Sequence, residues 1–190
     1  MLRRLPAQDR RSTAWKNGQG QTAEIAIHPP GADLSAFDWR VSLAQVAVSG
    51  PFSKFPGVDR WLLVLTGTMD LAIDGAAPLR LQAGGEPIRF PGDVPVQSTV
   101  RDGPVRDLNI MTARDRVLAD IRRLKLAAGG GERLAGAALV LCLSGAVRVS
   151  DGADAADLSA LDAAWVDGAA EVAALGPCEM VVTRFGAGRG

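Results

Sequence analysis

The sequence predicts an all-β protein, a barrel or sandwich assembled from two tandem units. Two observations carry that expectation. Short alternating or apolar runs follow one another along the chain, each closed by Gly, Asp-Gly or Pro. The second half also repeats marks of the first: Leu62-Leu63-Val64-Leu65-Thr66-Gly67, with Asp74-Gly75 beyond it, resembles Leu139-Val140-Leu141-Cys142-Leu143-Ser144-Gly145, with Asp151-Gly152 beyond it. Phe90-Pro91-Gly92-Asp93 is loosely echoed by Trp165-Val166-Asp167-Gly168, and Gly103-Pro104 before Thr112 by Gly176-Pro177 before Thr183. Hairpin punctuation shared by chance is the alternative. The expected division is residues 1–112 for a first unit that carries the chemistry and 113–190 for a second, degenerate one.

The elements follow in order. Residues 22–28 alternate, with Ala23, Ile25 and Ile27 on one face and Thr22, Glu24 and His28 on the other, until Pro29-Pro30-Gly31 ends the strand. In residues 39–48, Arg40, Ser42, Ala44, Val46 and Val48 share a face opposite Trp39, Val41, Leu43, Gln45 and Ala47. Residues 50–61 hold two prolines and two glycines, which forbid a regular strand, yet Phe52, Phe55 and Trp61 are too apolar for an ordinary solvated turn. This is a structured loop, either a packed corner or part of a site, that feeds the apolar strand at 61–65. Strands are expected next at 69–73, 79–81 and 107–111. Residues 114–126 fit helix and strand spacing alike; their place, where a repeat needs an opening strand, favours a strand.

The chain has 190 residues, 47% of them hydrophobic, with 21 basic and 21 acidic side chains. It is long enough to bury a sizeable core, and its balanced charge argues against nucleic acid or a membrane surface as the partner. The opening residues lack the apolar core of a signal peptide, and no stretch approaches the roughly twenty apolar residues of a membrane span, so a cytoplasmic location is expected. Cys142 and Cys178 read as buried thiols.

Five blocks carry a resemblance: Trp15-Lys16-Asn17-Gly18-Gln19-Gly20-Gln21-Thr22-Ala23-Glu24-Ile25, Phe37-Asp38-Trp39-Arg40-Val41-Ser42, Gly50 to Arg60, Phe90-Pro91-Gly92-Asp93, and Asp107-Leu108-Asn109-Ile110-Met111-Thr112. Together, and in this order, they resemble the HutD/Ves family. The resemblance implies a cupin-like jelly-roll double β-barrel, here as two tandem units in one chain (a bicupin). It also implies a cytoplasmic role in regulating histidine utilisation, N-formylglutamate as a ligand, and no settled catalytic activity. Gln19 departs from the family's run of glycines after Trp-Lys-Asn, where glycine permits positive φ or close backbone approach.

The chemistry follows from the side chains. With His28 as its single histidine, the chain cannot assemble a histidine-based metal site or a Ser-His-Asp triad, and no cofactor or catalytic residue is assigned. What remains are cationic and amide side chains from separate blocks: Lys16, Asn17, Arg40 with Ser42, Arg60 and Asn109. An arginine fork grips a carboxylate, lysine supplies a point charge, and asparagine both donates and accepts. Such a set suits a small carboxylate metabolite, with Phe52 and Phe55, beside Trp15, as walls. Strand alternation allows Arg40 and Ser42, and Asp107, Asn109 and Met111, to line one barrel mouth. Arg40 or Arg60 could equally pair with Asp59, Glu24 or Asp107 to hold the fold. Two rivals stand beside binding: a metal-independent isomerase, epimerase or hydrolase using Lys16, Glu24 or Asp107, and an interaction protein with a vestigial pocket. Pairing as a homodimer stays open.

Overall fold

A computed structural model of the chain describes residues 1–15, 18 and 20–188. Among these residues there are nineteen β-strands, one short 3-10 turn at Ala7–Asp9 and no α-helix; no helix is long and apolar enough to cross a membrane. Strand pairs in both units are antiparallel, which matches a chain of alternating runs joined by short turns. The strands form two compact units. An N-terminal unit comprises Arg11–Val117 with Gly188, and a C-terminal unit comprises Leu118–Ala187 with Met1–Arg10.

The division expected at 112/113 is therefore corrected at the start of the chain, whose first ten residues group with the C-terminal unit. The reason is β1 (Leu2–Leu5), which runs antiparallel to residues 163–166, with Leu2 opposite Val166 and Leu5 opposite Ala163. Leu2 packs against that unit's apolar core. Asp162 fastens the segment: its carboxylate accepts from the Ala7 N–H at 2.8 Å, the Ser159 N–H at 3.1 Å and the Arg4 guanidinium at 2.9 Å. Burial raises its pKa, but those three donors outweigh burial and hold it below the usual carboxylate value. We expect Asp162→Ala to cost roughly 2–3 kcal/mol at neutral pH, since it orphans two backbone donors and an arginine. That contribution is present above the unfolded carboxylate pKa and fades as pH falls through the lower folded value, so urea midpoints of variant and parent should converge in acid.

The N-terminal unit continues with β2 (Ser12–Ala14), β3 (Gly20–His28), β4 (Trp39–Val46), β5 (Gly50–Pro51), β6 (Val58–Thr66), β7 (Thr68–Ile73), β8 (Leu79–Gln82), β9 (Ile88–Pro91), β10 (Val96–Val100) and β11 (Val105–Ala113). One sheet has the order β2-β3-β4-β11-β6-β9, the other β5-β10-β7-β8. Val46, Leu62, Val64 and Phe90 of the first sheet pack with Met69, Leu71 and Val96 of the second, so the space between the sheets is the core. Strand alternation in β3 is broken by a bulge between Glu24 and Ala26. The bulge corrects the expected faces: beyond it Ile27 lies opposite Arg40 and joins the side of Thr22 and Glu24, while Ala26 and His28 take the other side.

The C-terminal unit is built from β12 (Val117–Leu126), β13 (Gly131–Leu134), β14 (Ala137–Ser144), β15 (Val147–Ser150), β16 (Ala155–Leu158), β17 (Ala163–Asp167), β18 (Ala170–Ala174) and β19 (Cys178–Ala187). The ambiguous stretch after Arg114 is thus a strand. Its sheets run β1-β17-β14-β19-β12 and β13-β18-β15-β16, and the core between them is apolar, with Ala138, Val140, Cys142, Val147, Leu158 and Met180 nearly inaccessible to solvent. Cys142 and Cys178 are free, buried thiols, and burial first, with Cys178 and Asp162 nearby, pushes Cys142 up to about 11. Gly145, at the end of β14, has φ +73°, and a Cβ built there would lie 2.3 Å from the Pro177 carbonyl oxygen.

Candidate functional site

In an antiparallel sheet, residues that face each other across strands point to the same side. The register of the six-stranded sheet therefore sorts its polar residues. One row reads Ile27, Arg40, Met111, Arg60, Phe90; the next reads Glu24, Ser42, Asn109, Leu62, Ile88; a third reads Thr22, Ala44, Asp107, Val64. Leu62, Val64 and Phe90 belong to the core between the sheets, so Arg40, Ser42, Arg60, Asp107 and Asn109 also project inward. At one end they are bounded by that core and at the other by Phe37, Val58, Met111 and Phe55. A polar group set inside an apolar interior demands partners.

Arg60 is 5% exposed. Its guanidinium carbon lies 5.0, 5.4 and 5.6 Å from the ring centroids of Phe52, Phe90 and Phe55, close enough for cation–π attraction to each ring. One N–H donates to the Ser53 carbonyl at 3.3 Å, while Nε is buried without a hydrogen-bond partner among the described residues. The two loop phenylalanines expected as walls thus close around this arginine, a third coming from β9. Burial pushes Arg60 down to about 10; Asp107 works against that shift and Arg40 adds to it. The group remains cationic at neutral pH.

Asp107 is 1% exposed, and its Oδ2, like Asn109 Oδ1, has no hydrogen-bond partner among the described residues. Burial raises its pKa to about 7, with Arg60 pulling it back. Arg40 differs from Arg60. It donates through Nε to Glu24 at 2.8 Å and, through a terminal guanidinium N–H, more weakly to the Ser42 hydroxyl at 3.5 Å, so its charge is already matched. Asp59 serves neither arginine, because as the neighbour of Arg60 along the strand it faces the other way. Arg89 at 2.5 Å and Arg114 at 2.9 Å take it. Trp15 Nε1 donates to the Thr22 hydroxyl at 2.8 Å, and a Cβ on Gly20 would meet its ring at 3.1 Å, so this glycine lets the indole lie against β3. Lys16, Asn17 and Gln19 lie outside the described residues.

The structure thus brings Arg40, Ser42, Phe52, Phe55, Arg60 and Asn109 to one region of the unit. Phe90 and Asp107 belong with them. In the sequence Phe90 stands out only within Phe90-Pro91-Gly92-Asp93, and what reveals its role is its place opposite Arg60 on β9, which depends on strand register. His28 is half exposed and stacks on Trp39 with ring centroids 5.7 Å apart. Among the described residues no three His, Cys, Asp or Glu side chains gather so as to hold a metal ion.

This arrangement can be set beside known proteins. A conserved protein of unknown function from Pseudomonas aeruginosa PAO1 superposes with a TM-score of 0.89 at 32% identity, over 97% of this chain and 98% of that one. HutD from Pseudomonas fluorescens SBW25, in a formate condition, gives 0.84 at 30% identity over the whole of both chains. Protein Ves of Cronobacter sakazakii is 36% identical over 138 residues, 72% of this chain and 74% of Ves. A cupin 2 conserved barrel domain protein from Leptotrichia buccalis, at 11% identity and a TM-score of 0.63 over 90% of this chain and 91% of its own, shows a shared fold alone. The HutD family model matches residues 7–182, and the chain belongs to the HutD family.

Proposed function

We propose that the N-terminal unit binds a small carboxylate-bearing metabolite without a metal, an acyl amino acid such as N-formylglutamate or a related dicarboxylate. Through that binding the protein would modulate histidine utilisation in the cytoplasm. The observation that carries the reading is Arg60: a buried cation, ringed by Phe52, Phe55 and Phe90, with an N–H on the inner face of the sheet that has no partner among the described residues. An anion that reached it would form a charge-assisted bond with water excluded. The link to histidine utilisation rests on the family name and on the resemblance carried by the five sequence blocks.

We infer in addition that the two units are tandem copies, a bicupin whose second half has lost the site. In support, β4-β11-β6-β9 and β12-β19-β14-β17 have the same order, as do β5-β10-β7-β8 and β13-β18-β15-β16. Counting back from Gly67 and Gly145 sets Ala138 where Arg60 stands. The cross-strand register then sets Met180 and Val182 where Asp107 and Asn109 stand. Arg60, Asp107 and Asn109 thus have apolar counterparts.

Titration calorimetry against formylglutamate, glutamate, urocanate and histidine tests the binding reading. Formylglutamate should bind in the micromolar to millimolar range, and Arg60→Ala should weaken it roughly 10- to 100-fold, the loss of one charge-assisted hydrogen bond. Arg40→Ala should cost less, because Glu24 already holds Arg40. Equal binding by the parent and both variants, or no acid bound at millimolar concentration, overturns it. A second reading is favoured by Asp107, whose buried carboxyl near neutrality suits a general base for a metal-independent isomerase or epimerase. Deuterium exchange into a bound acid, followed by NMR and abolished by Asp107→Asn, would establish that reading instead.

A further inference from the structure

Three inward atoms are buried without a hydrogen-bond partner among the described residues: Arg60 Nε, Asp107 Oδ2 and Asn109 Oδ1. They do not ask for the same thing. The arginine nitrogen is a donor and needs an acceptor, whereas the carboxylate and amide oxygens are acceptors and need a donor. Asp107 and Asn109 are successive inward residues of β11, and Arg60 stands one inward row from Asn109, opposite Met111. The donor and the two acceptors therefore belong to neighbouring rows of one face, separated by roughly one or two strand repeats of 6–7 Å before their side chains reach toward each other.

A plain dicarboxylate answers only half of this arrangement. Its oxygens can accept from Arg60, but toward Asp107 and Asn109 it presents either carbon or more acceptors, and it leaves both buried oxygens unsatisfied. Sites built with unpaired polar groups reject analogues that lack the matching group far more strongly than apolar pockets reject a change of size. On the carboxylate-binding reading above, on which this inference rests, we propose that the site selects acids carrying an N–H or O–H on the carbon beside the carboxylate. These are the α-amino, α-acylamido and α-hydroxy acids. Arg60 takes the carboxylate, and Asp107 Oδ2 and Asn109 Oδ1 share the adjacent donor. The aromatic ring of Phe52, Phe55 and Phe90 keeps water from competing at the arginine end.

The test is a matched series of diacids with a five-carbon backbone titrated into the 190-residue protein at pH 8, where Asp107 is largely ionised. 2-Hydroxyglutarate and N-acetylglutamate carry the donor. 2-Methylglutarate matches the hydroxy acid in size without it, and glutarate has neither substituent. Both donor acids should bind at least tenfold more tightly than 2-methylglutarate and glutarate. In Asn109→Leu the preference should shrink severalfold, with circular dichroism confirming the fold; if that variant does not fold, the series on the parent protein decides alone. Equal affinity of 2-hydroxyglutarate and 2-methylglutarate overturns the donor requirement while leaving carboxylate binding intact. Failure of all four acids to bind overturns both.

Discussion

Gly145→Ala is expected to lower the unfolding free energy by roughly 3–5 kcal/mol, among the largest effects of any single methyl added to this chain. Two costs combine. The residue has φ +73°, where an L side chain is strained, and the added Cβ would sit 2.3 Å from the Pro177 carbonyl oxygen and 2.9 Å from the Cα and Cβ of Cys178. Those are backbone and buried atoms at the start of β19, with no flexible side-chain end to swing away. The two costs can be separated with other glycines. Gly152 has φ +88° but nothing within 4 Å of its Cβ position, so Gly152→Ala should cost only the strain, roughly 1 kcal/mol. Gly67, with φ +81° and contacts of 3.1 Å to Pro104 and Val105, should fall between. Urea denaturation of the three variants should give the order Gly152, Gly67, Gly145 in rising cost; a Gly145 variant no worse than the Gly152 variant would refute the steric account.

Asp107→Asn is expected to stabilise the protein at pH 8 and to leave it nearly unchanged at pH 4. Below about pH 4 the carboxyl is protonated in the folded and unfolded chain alike. As pH rises toward 7, the unfolded chain has given up this proton while the folded chain, whose carboxyl titrates at about 7, still holds it. Stability therefore declines across that window, and above it the full cost of burying the charge is present. The charged groups sharing the inner face are Arg60 on β6, Arg40 on β4 and Glu24 on β3. The first attracts Asp107, and the second is already neutralised by the third. A shift of this size corresponds to roughly 3–5 kcal/mol, so the asparagine variant should gain up to an amount of that order at pH 8. A stability difference between variant and parent that is independent of pH would show that Asp107 does not titrate in this window.

Much of this site could be read from period-two alternation alone. That period places Arg40 with Ser42 and Asp107 with Asn109, and the register confirms that all four share a face. Two things escaped. Alternation along β3 could not reveal the bulge at Ile25, which moves Ile27 to the inner face, because a bulge is a property of the pair of strands. Nor could it show that Glu24 holds Arg40 while Arg60 is left with rings, since that depends on which strand lies beside which. The short strands β1, β2, β5, β9 and β10 also left little trace. With two to five residues each they offer too few alternations, and β5 and β9 contain proline.

The placement of β1 bears on the order in which the chain folds. Arg4 meets Asp162 across 158 residues, whereas the hairpin β15–β16 closes over a handful. Loop-closure entropy grows only with the logarithm of length, yet this ratio still amounts to roughly 3 kcal/mol of extra ordering cost before any contact repays it. A segment that precedes its partner by so much chain is thus among the last that can find its place, and it must wait for β17 before it has an edge to join. In hydrogen exchange the amides of β1 should open at lower free energy than those of β14, which is flanked on both sides, making this strand the seam at which the C-terminal unit first comes apart.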